Sequence, residues 1–262
     1  MCTLTIISTG EAEARGVRIE CNRDESRLRP GAKPTQQRTY GERQVLMPVD
    51  PLSDGTWIGV NDAGVAAVLM NVYIAQAEKE IEILPRTRPL VSRGTIIPHV
   101  LAAGSLAEAI ERFQALNPRD FEPFRLILVD RTHWLEIVWA AEQLSIDPVK
   151  PLDEPLFFTS SGLCDDIVAK PRRELFDEML SVGADLTTAD LSPAQDAFHR
   201  HVWPGREFAS VWMTRPEART QSITWCELNA DEVTMRYAAR DWGDGLEVGE
   251  RLTLPSARRG SS

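Results

Sequence analysis

The chain has 262 residues, 43% of them hydrophobic and 26% charged, with a formal net charge of -10 and a sequence pI near 5.0. Such a composition suits a globular protein with a sizeable core, and the acidity argues against nucleic-acid binding, where Lys and Arg countercharge supplies much of the affinity. The opening MCTLTIISTGEAEARG has no basic start followed by an apolar run, and no segment is apolar for long enough to cross a bilayer, so neither a secretory signal nor an integral membrane segment is expected and the expected location is the cytoplasm.

Thr3 to Ser8 and Val17 to Asn22 favour strands and flank the polar loop TGEAEARG, which predicts a hairpin. With that loop centred between residues 12 and 13, cross-strand partners sum to about 25, so Thr3 faces Asn22 and Cys2 lies beside Arg23 and Asp24. A second hairpin joins Trp57 to Val60 with Val65 to Asn71 through Asn61-Asp62-Ala63-Gly64, residues that tolerate positive φ.

Val91 to Ala103 predicts a helix kinked or broken at Pro98, and Ser105-Leu106-Ala107-Glu108 forms a capping box before AIERFQAL. Strands return at FRLILVD, HWLEIVWA, QLSIDP and LFFTSSG, followed by helices over Ile167 to Leu180 and Ala194 to His201. Ser192 opens the second of these, with Pro193 in its first turn and Gln195 at the capping-box place. Ala209 to Met213, Gln221 to Leu228 and Val233 to Ala239 complete the strands. The order predicts an α+β fold of two mainly antiparallel sheets with helices outside, in one domain over residues 1–255 with a loose tail at 256–262.

Four cysteines, Cys2, Cys21, Cys164 and Cys226, stand far apart without a CxxC pair, which suits neither a zinc site nor a disulfide framework. By position alone Cys2 is a small hydrophobe at the edge of a core. If the initiator methionine is removed, it instead gains a free α-amine with a pKa of roughly 7.7 to 8.0, able to take the proton of its own thiol and later pass one to a leaving group. Arg23 would favour the thiolate, and a neighbouring carboxylate would hold the amine. Acyl transfer also needs a donor for the developing oxyanion, a role open to the Asn71 amide at the end of the second hairpin.

Other polar residues carry less. Arg219, beside Thr220 and Ser222, is either a carboxylate binder or a solvated strand-edge residue. Tyr73 and the following IAQAEKEIEILPRTRP form either a substrate lid or a surface loop. His99, His133, His199 and His201 are scattered and read as structural, and neither a metal nor a cofactor motif occurs. No feature sets the oligomeric state.

The words MCTL at the start, NRDE at 22–25 and GTWIGVNDAGVAAVLMN at 55–71 resemble the NRDE family, also called the transport-and-Golgi-organisation family. TSSG at 159–162 and SVWMTRPEARTQSIT at 210–224 extend the resemblance over nearly the full length. That family in turn resembles the cysteine N-terminal-nucleophile hydrolases, the group of choloylglycine hydrolases and penicillin acylases, which implies a four-layer αββα sandwich. The resemblance implies Cys2 as nucleophile, Asn71 as oxyanion donor, Arg23 and Asp24 as its organisers, Asn22 and Glu25 around them, and Asn61 in the turn.

Two departures stand out. Those hydrolases carry an aspartate three residues after the arginine, whereas Asp24 follows Arg23 at once and only Asn22 and Glu25 keep the spacing; Thr159-Ser160 stands where they have threonine-asparagine. The implied function is hydrolysis or transfer of a small acyl group at a non-peptide C-N amide or related thioester. The alternative is a non-catalytic carrier of a hydrophobic ligand such as a lipid or haem. Either way the expected partner is a small molecule.

Overall fold

In the computed structural model, residues 2–10, 15–73, 89–163, 166–181, 190–241, 243 and 245–257 are described. Strands β1 (Cys2–Thr9) and β2 (Gly16–Ser26) form the expected hairpin, paired from Cys2 with Arg23 and Thr3 with Asn22 to Thr9 with Gly16. The strands' two-residue period sends Leu4, Ile6, Ile19 and Cys21 into a core between two sheets, and Thr3, Thr5 and Asn22 to the opposite face. Each residue named here is fully buried.

The second hairpin also stands as expected: β5 (Ile58–Asn61) and β6 (Ala66–Asn71) meet at a turn in which Gly64 has φ +76. Ahead of it lie β3 (Lys33–Tyr40) and β4 (Arg43–Val49), two strands the sequence did not announce. After it come α1 (Ile96–Val100) and α2 (Leu106–Gln114). The expected helix over Val91 to Ala103 is shorter than its pattern, a 3-10 turn at Arg93–Thr95 running into α1. Pro98 sits in the first turn of α1, where its missing N–H costs no intrahelical bond. Ser105 caps α2 as expected, its hydroxyl accepting from the Glu108 N–H while Glu108 turns back to the Gly104 N–H.

Strands β7 (Phe124–Val129), β8 (His133–Ala140), β9 (Gln143–Ile146), β10 (Lys150–Pro151) and β11 (Leu156–Ser160) follow, then helices α3 (Ala169–Phe176) and α4 (Ser192–His199). Ser192 is inside α4 rather than its cap, and its N–H donates to Asp190. Gln195 is fully buried under β1 instead of closing a capping box. The chain ends in β12 (Ala218–Leu228), β13 (Glu232–Arg240) and β14 (Leu246–Pro255), the last unforeseen. The expected strand at Ala209 to Met213 is a run of buried turns, because its N–H groups bond to Arg206 and His201 rather than to a neighbouring strand.

One sheet has the order β11-β1-β2-β12-β13-β14; the other runs β10-β8-β7-β6-β5-β4-β3, with β9 on β8, and the pairings are antiparallel. Core residues from both, such as Leu4 and Ile19 opposite Ile58 and Val68, pack between the sheets. Helices α1 and α2 cover the outer face of the β7 sheet, and α3 and α4 that of the β1 sheet. The architecture is therefore an αββα sandwich. Among the described residues no helix is long and apolar enough to cross a membrane. Residues 74–88 of the proposed lid and 258–262 of the expected tail lie outside the described residues.

Candidate active site

Cys2 begins β1 at the mouth of the inter-sheet core, 7% exposed, with Arg23 beside it on β2 and Ser160 on β11. Its backbone nitrogen donates to the Ser160 hydroxyl at 3.1 Å. A hydrogen bond from the Cys21 thiol lowers the Cys2 thiol below its ordinary value; burial opposes this, and the Arg23 charge assists. The interaction with Cys2, together with burial, pushes Cys21 well up, so Cys2 is the more acidic thiol of the pair, while the Cys21 thiol also lies 3.7 Å from the Asn22 carbonyl, to which it donates.

Cys2 opens on a polar cavity of about 140 Å³, walled also by Arg23, Asp50, Trp57, Asn71 and Arg93. Arg23 lies over the Trp57 ring, 4.6 Å from its centroid, and its Nη2 donates to Asp50 at 2.9 Å and Glu25 at 3.3 Å. Asp50 is held by more than this pair. It accepts from Arg29 at 2.8 Å and from the Leu52 and Ser53 N–H groups. Burial pushes its pKa up, but the Arg29 hydrogen bond and these other contacts outweigh it and leave the carboxyl below its ordinary value.

Asp24 borders the cavity, yet its carboxylate is engaged on the outer face of the sheet, accepting from the Thr220 hydroxyl at 2.6 Å and lying 3.6 Å from Arg172. Arg172 is fully buried and joins three segments. Its guanidinium donates to Thr3 Oγ1 at 2.6 Å, Thr159 Oγ1 at 3.2 Å and the Ala209 carbonyl at 3.0 Å. The two strands that flank Cys2 are thus clamped from behind by the Asp24–Arg172 pair.

Asn71 lines both this cavity and a larger one, and its Nδ2 donates to the Tyr73 hydroxyl at 3.5 Å. The structure therefore brings Cys2, Arg23, Asp24, Glu25, Asn71, Tyr73 and Ser160 to one place. Three expected residues stand apart from it. Asn22 points outward, its amide donating to the His199 and Val211 carbonyls and its oxygen accepting from His199 Nδ1. Asn61 spends its amide on the Leu101 and Ala103 carbonyls and its oxygen on the Ala63 and Val65 N–H groups. Arg219 donates to the Asp241 and Arg240 carbonyls at the end of β13.

Sequence reasoning missed Cys21, Asp50, Arg93 and Arg172. The hairpin register carried a signal for Cys21, since it places that residue diagonal to Cys2 on the same face. Arg93 is set over the cavity by two glycines in contact, where a Cβ on Gly55 would stand 2.7 Å from the Gly94 carbonyl carbon. Asp50 and Arg172 reach the site only through long-range packing.

The same fold occurs in a variant of conjugated bile acid hydrolase from Clostridium perfringens, 15% identical over 96% of each chain with a TM-score of 0.51. It also occurs in the Caenorhabditis elegans ortholog of N-acylethanolamine-hydrolyzing acid amidase, 14% identical over 86% of this chain and 92% of that one, TM-score 0.55. Both have the N-terminal-nucleophile hydrolase fold, as this chain does. Comparison with curated protein sequences gave no match. Residues 1–192 match the family model described as Transport and Golgi organisation 2, and with that span covered the chain belongs to the transport and Golgi organisation 2 family.

Proposed function

We propose that the chain is a cytoplasmic N-terminal-cysteine hydrolase or acyltransferase, acting on a non-peptide C-N amide or related thioester of a small acyl compound. The observation that carries this is Cys2 itself: second in the chain, on the wall of a polar cavity, its thiol lowered by Cys21. The two hydrolases of the same fold support it.

Removal of Met1 frees an amine that takes the Cys2 thiol proton. Sulfur attacks the acyl carbonyl carbon, the C=O electron pair moves to oxygen, and Asn71 Nδ2 donates to the oxyanion. Collapse breaks the C-N bond, and the Cys2 ammonium returns its proton to the leaving amine. Water then cleaves the thioester, or an acceptor amine or alcohol takes the acyl group. Arg23 keeps a positive charge by the sulfur, while Asp24 acts through Arg172 on Thr3 and Thr159 to fix the strands around it.

Intact mass before and after a β-lactone probe tests this. The expected result is loss of Met1 and a single adduct that Cys2→Ala abolishes; a retained Met1 leaves the base inside a peptide bond and sinks the mechanism. A second reading, a carrier on the same scaffold, is favoured by the chamber of about 620 Å³ beside Asn71. It predicts a copurifying hydrophobic ligand that Cys2→Ala retains, with no adduct on the wild-type chain.

A further inference from the structure

The larger chamber lies between the end of β6, the β7–β8 pair, β11 and α3, and meets the nucleophile's surroundings at Asn71 and Ser160. Its lining combines two chemistries. Phe158 of β11 gives an aromatic surface, backed by the Trp134 ring at 5.6 Å, while its neighbour Phe157 turns its ring to the other face of the strand, against Phe176 and Phe198. Among the described residues of the lining, Arg125, Lys170 and Arg173 give three cations against one carboxylate, Glu136, which is already ion-paired with Arg125.

Among those described residues two cations are therefore in excess, in a chain whose net charge is -10. A local field opposite in sign to the whole molecule attracts anions that the rest of the surface repels. Arg173 is also held in place. Its guanidinium sits 4.5 Å from the Phe157 ring centroid and 5.4 Å from that of Phe176, and Nη2 donates to the Phe157 carbonyl at 2.9 Å. Its ion pair with Asp177 is long, 3.9 Å, and half-exposed on both sides, too weak to neutralise it for a ligand. Lys170, three residues earlier on α3, shares that face of the helix.

We propose that this chamber binds an anionic amphiphile: an apolar group against Phe158, with a sulfonate, phosphate or carboxylate at Lys170 and Arg173. The inference rests on the proposed function for its consequence, that the scissile bond of such a compound reaches Cys2 past Asn71. The chamber's own preference for an anion stands independently of catalysis.

Fluorescence titration of the full chain with 8-anilinonaphthalene-1-sulfonate and N-phenyl-1-naphthylamine tests it, since the two dyes differ only in the sulfonate. The sulfonate is expected to bind about tenfold more tightly. The double variant Lys170→Gln/Arg173→Gln should erase that difference while leaving the neutral dye within about twofold of wild type, so the neutral dye also reports an intact fold. Equal affinities for the two dyes, or a double variant that binds the sulfonate as tightly as wild type, overturns the proposal. β-Lactone labelling of the same samples separates the two ideas: labelling of Cys2 without a sulfonate preference overturns the anion site alone. A sulfonate preference without labelling overturns the nucleophile alone and leaves the anion site standing.

Discussion

At the residue scale the Cys2–Cys21 contact makes the sharpest claim. A donor to a thiolate lowers its pKa, so its removal must raise the pH at which the thiolate forms. Cys21→Ala is expected to move the midpoint of the pH dependence of iodoacetamide alkylation at Cys2 upward; an unchanged or lowered midpoint would show that Cys21 donates nothing. Arg23 has a structural share as well. Its side chain and that of Asp50 are each 7% exposed, and orphaning one partner of a buried ion pair usually costs several kcal/mol. Because Asp50 keeps Arg29 and two backbone N–H groups, Arg23→Ala should cost about 3 kcal/mol in urea unfolding, the low end of that range. A loss well under 1 kcal/mol would mean that the pair is solvated after all. The first hairpin made Arg23 legible from sequence as the neighbour of Cys2, because register follows from loop symmetry. Arg172 was illegible: nothing in PRRELF distinguishes the arginine that crosses to Thr3 from the one that stays at the surface.

Elements were legible where one face is buried and the other is not, and failed elsewhere. Strand β3, KPTQQRTY, has no buried residue, and β14 is exposed along most of its length, so neither shows a strand's apolar alternation. The segment Ala209 to Met213 failed in the opposite sense, its apolar residues being buried by turns packed on Arg172 and β12. The 92–94 turn is the element with a measurable consequence. A Cβ on Gly94 would stand 2.9 Å from the Thr56 nitrogen and 3.1 Å from the Gly55 Cα, backbone atoms that have to shift. Gly94→Ala should therefore cost about 1–3 kcal/mol of stability through overpacking and slow labelling of Cys2, since Arg93 moves with the turn. Gly31→Ala meets nothing within 4 Å and should stay within about 0.5 kcal/mol of wild type. Equal effects of the two would remove the glycine contact as a support of the cavity.

On the scale of the whole molecule, the helices α3 and α4 are tied to the site's sheet by polar groups as well as by the Phe157, Phe176 and Phe198 cluster. Arg18 donates to Gln195, Gln195 to Thr5, and the amide of Asn22 to two carbonyls. That leaves the Asn22 oxygen to accept from His199 Nδ1 and places His199 Nε2 to accept from the Thr5 hydroxyl, an arrangement that satisfies every group with a neutral histidine. Burial depresses the His199 pKa well below its ordinary value, in the same sense. Beside this chain, Glu20 is fully buried, and burial raises its pKa well above the carboxylate range, against the lowering charge of Arg18. The two groups act on stability with opposite signs. The depressed His199 contributes stability that is present above its unfolded pKa, about 6.5, and is lost as pH falls. The raised Glu20 contributes stability that is present below its unfolded pKa, about 4.3, and is lost as pH rises through the folded value. Glutamine reproduces the protonated acid, with an N–H in place of the O–H. Glu20→Gln should therefore be the more stable protein at pH 8, lose stability more steeply than wild type as pH falls below 6.5 because only the His199 response remains, and meet the wild-type curve near pH 4. Urea unfolding across that range checks this: parallel curves would mean that Glu20 is ionised inside the fold, and that the Arg18 contact alone carries its charge.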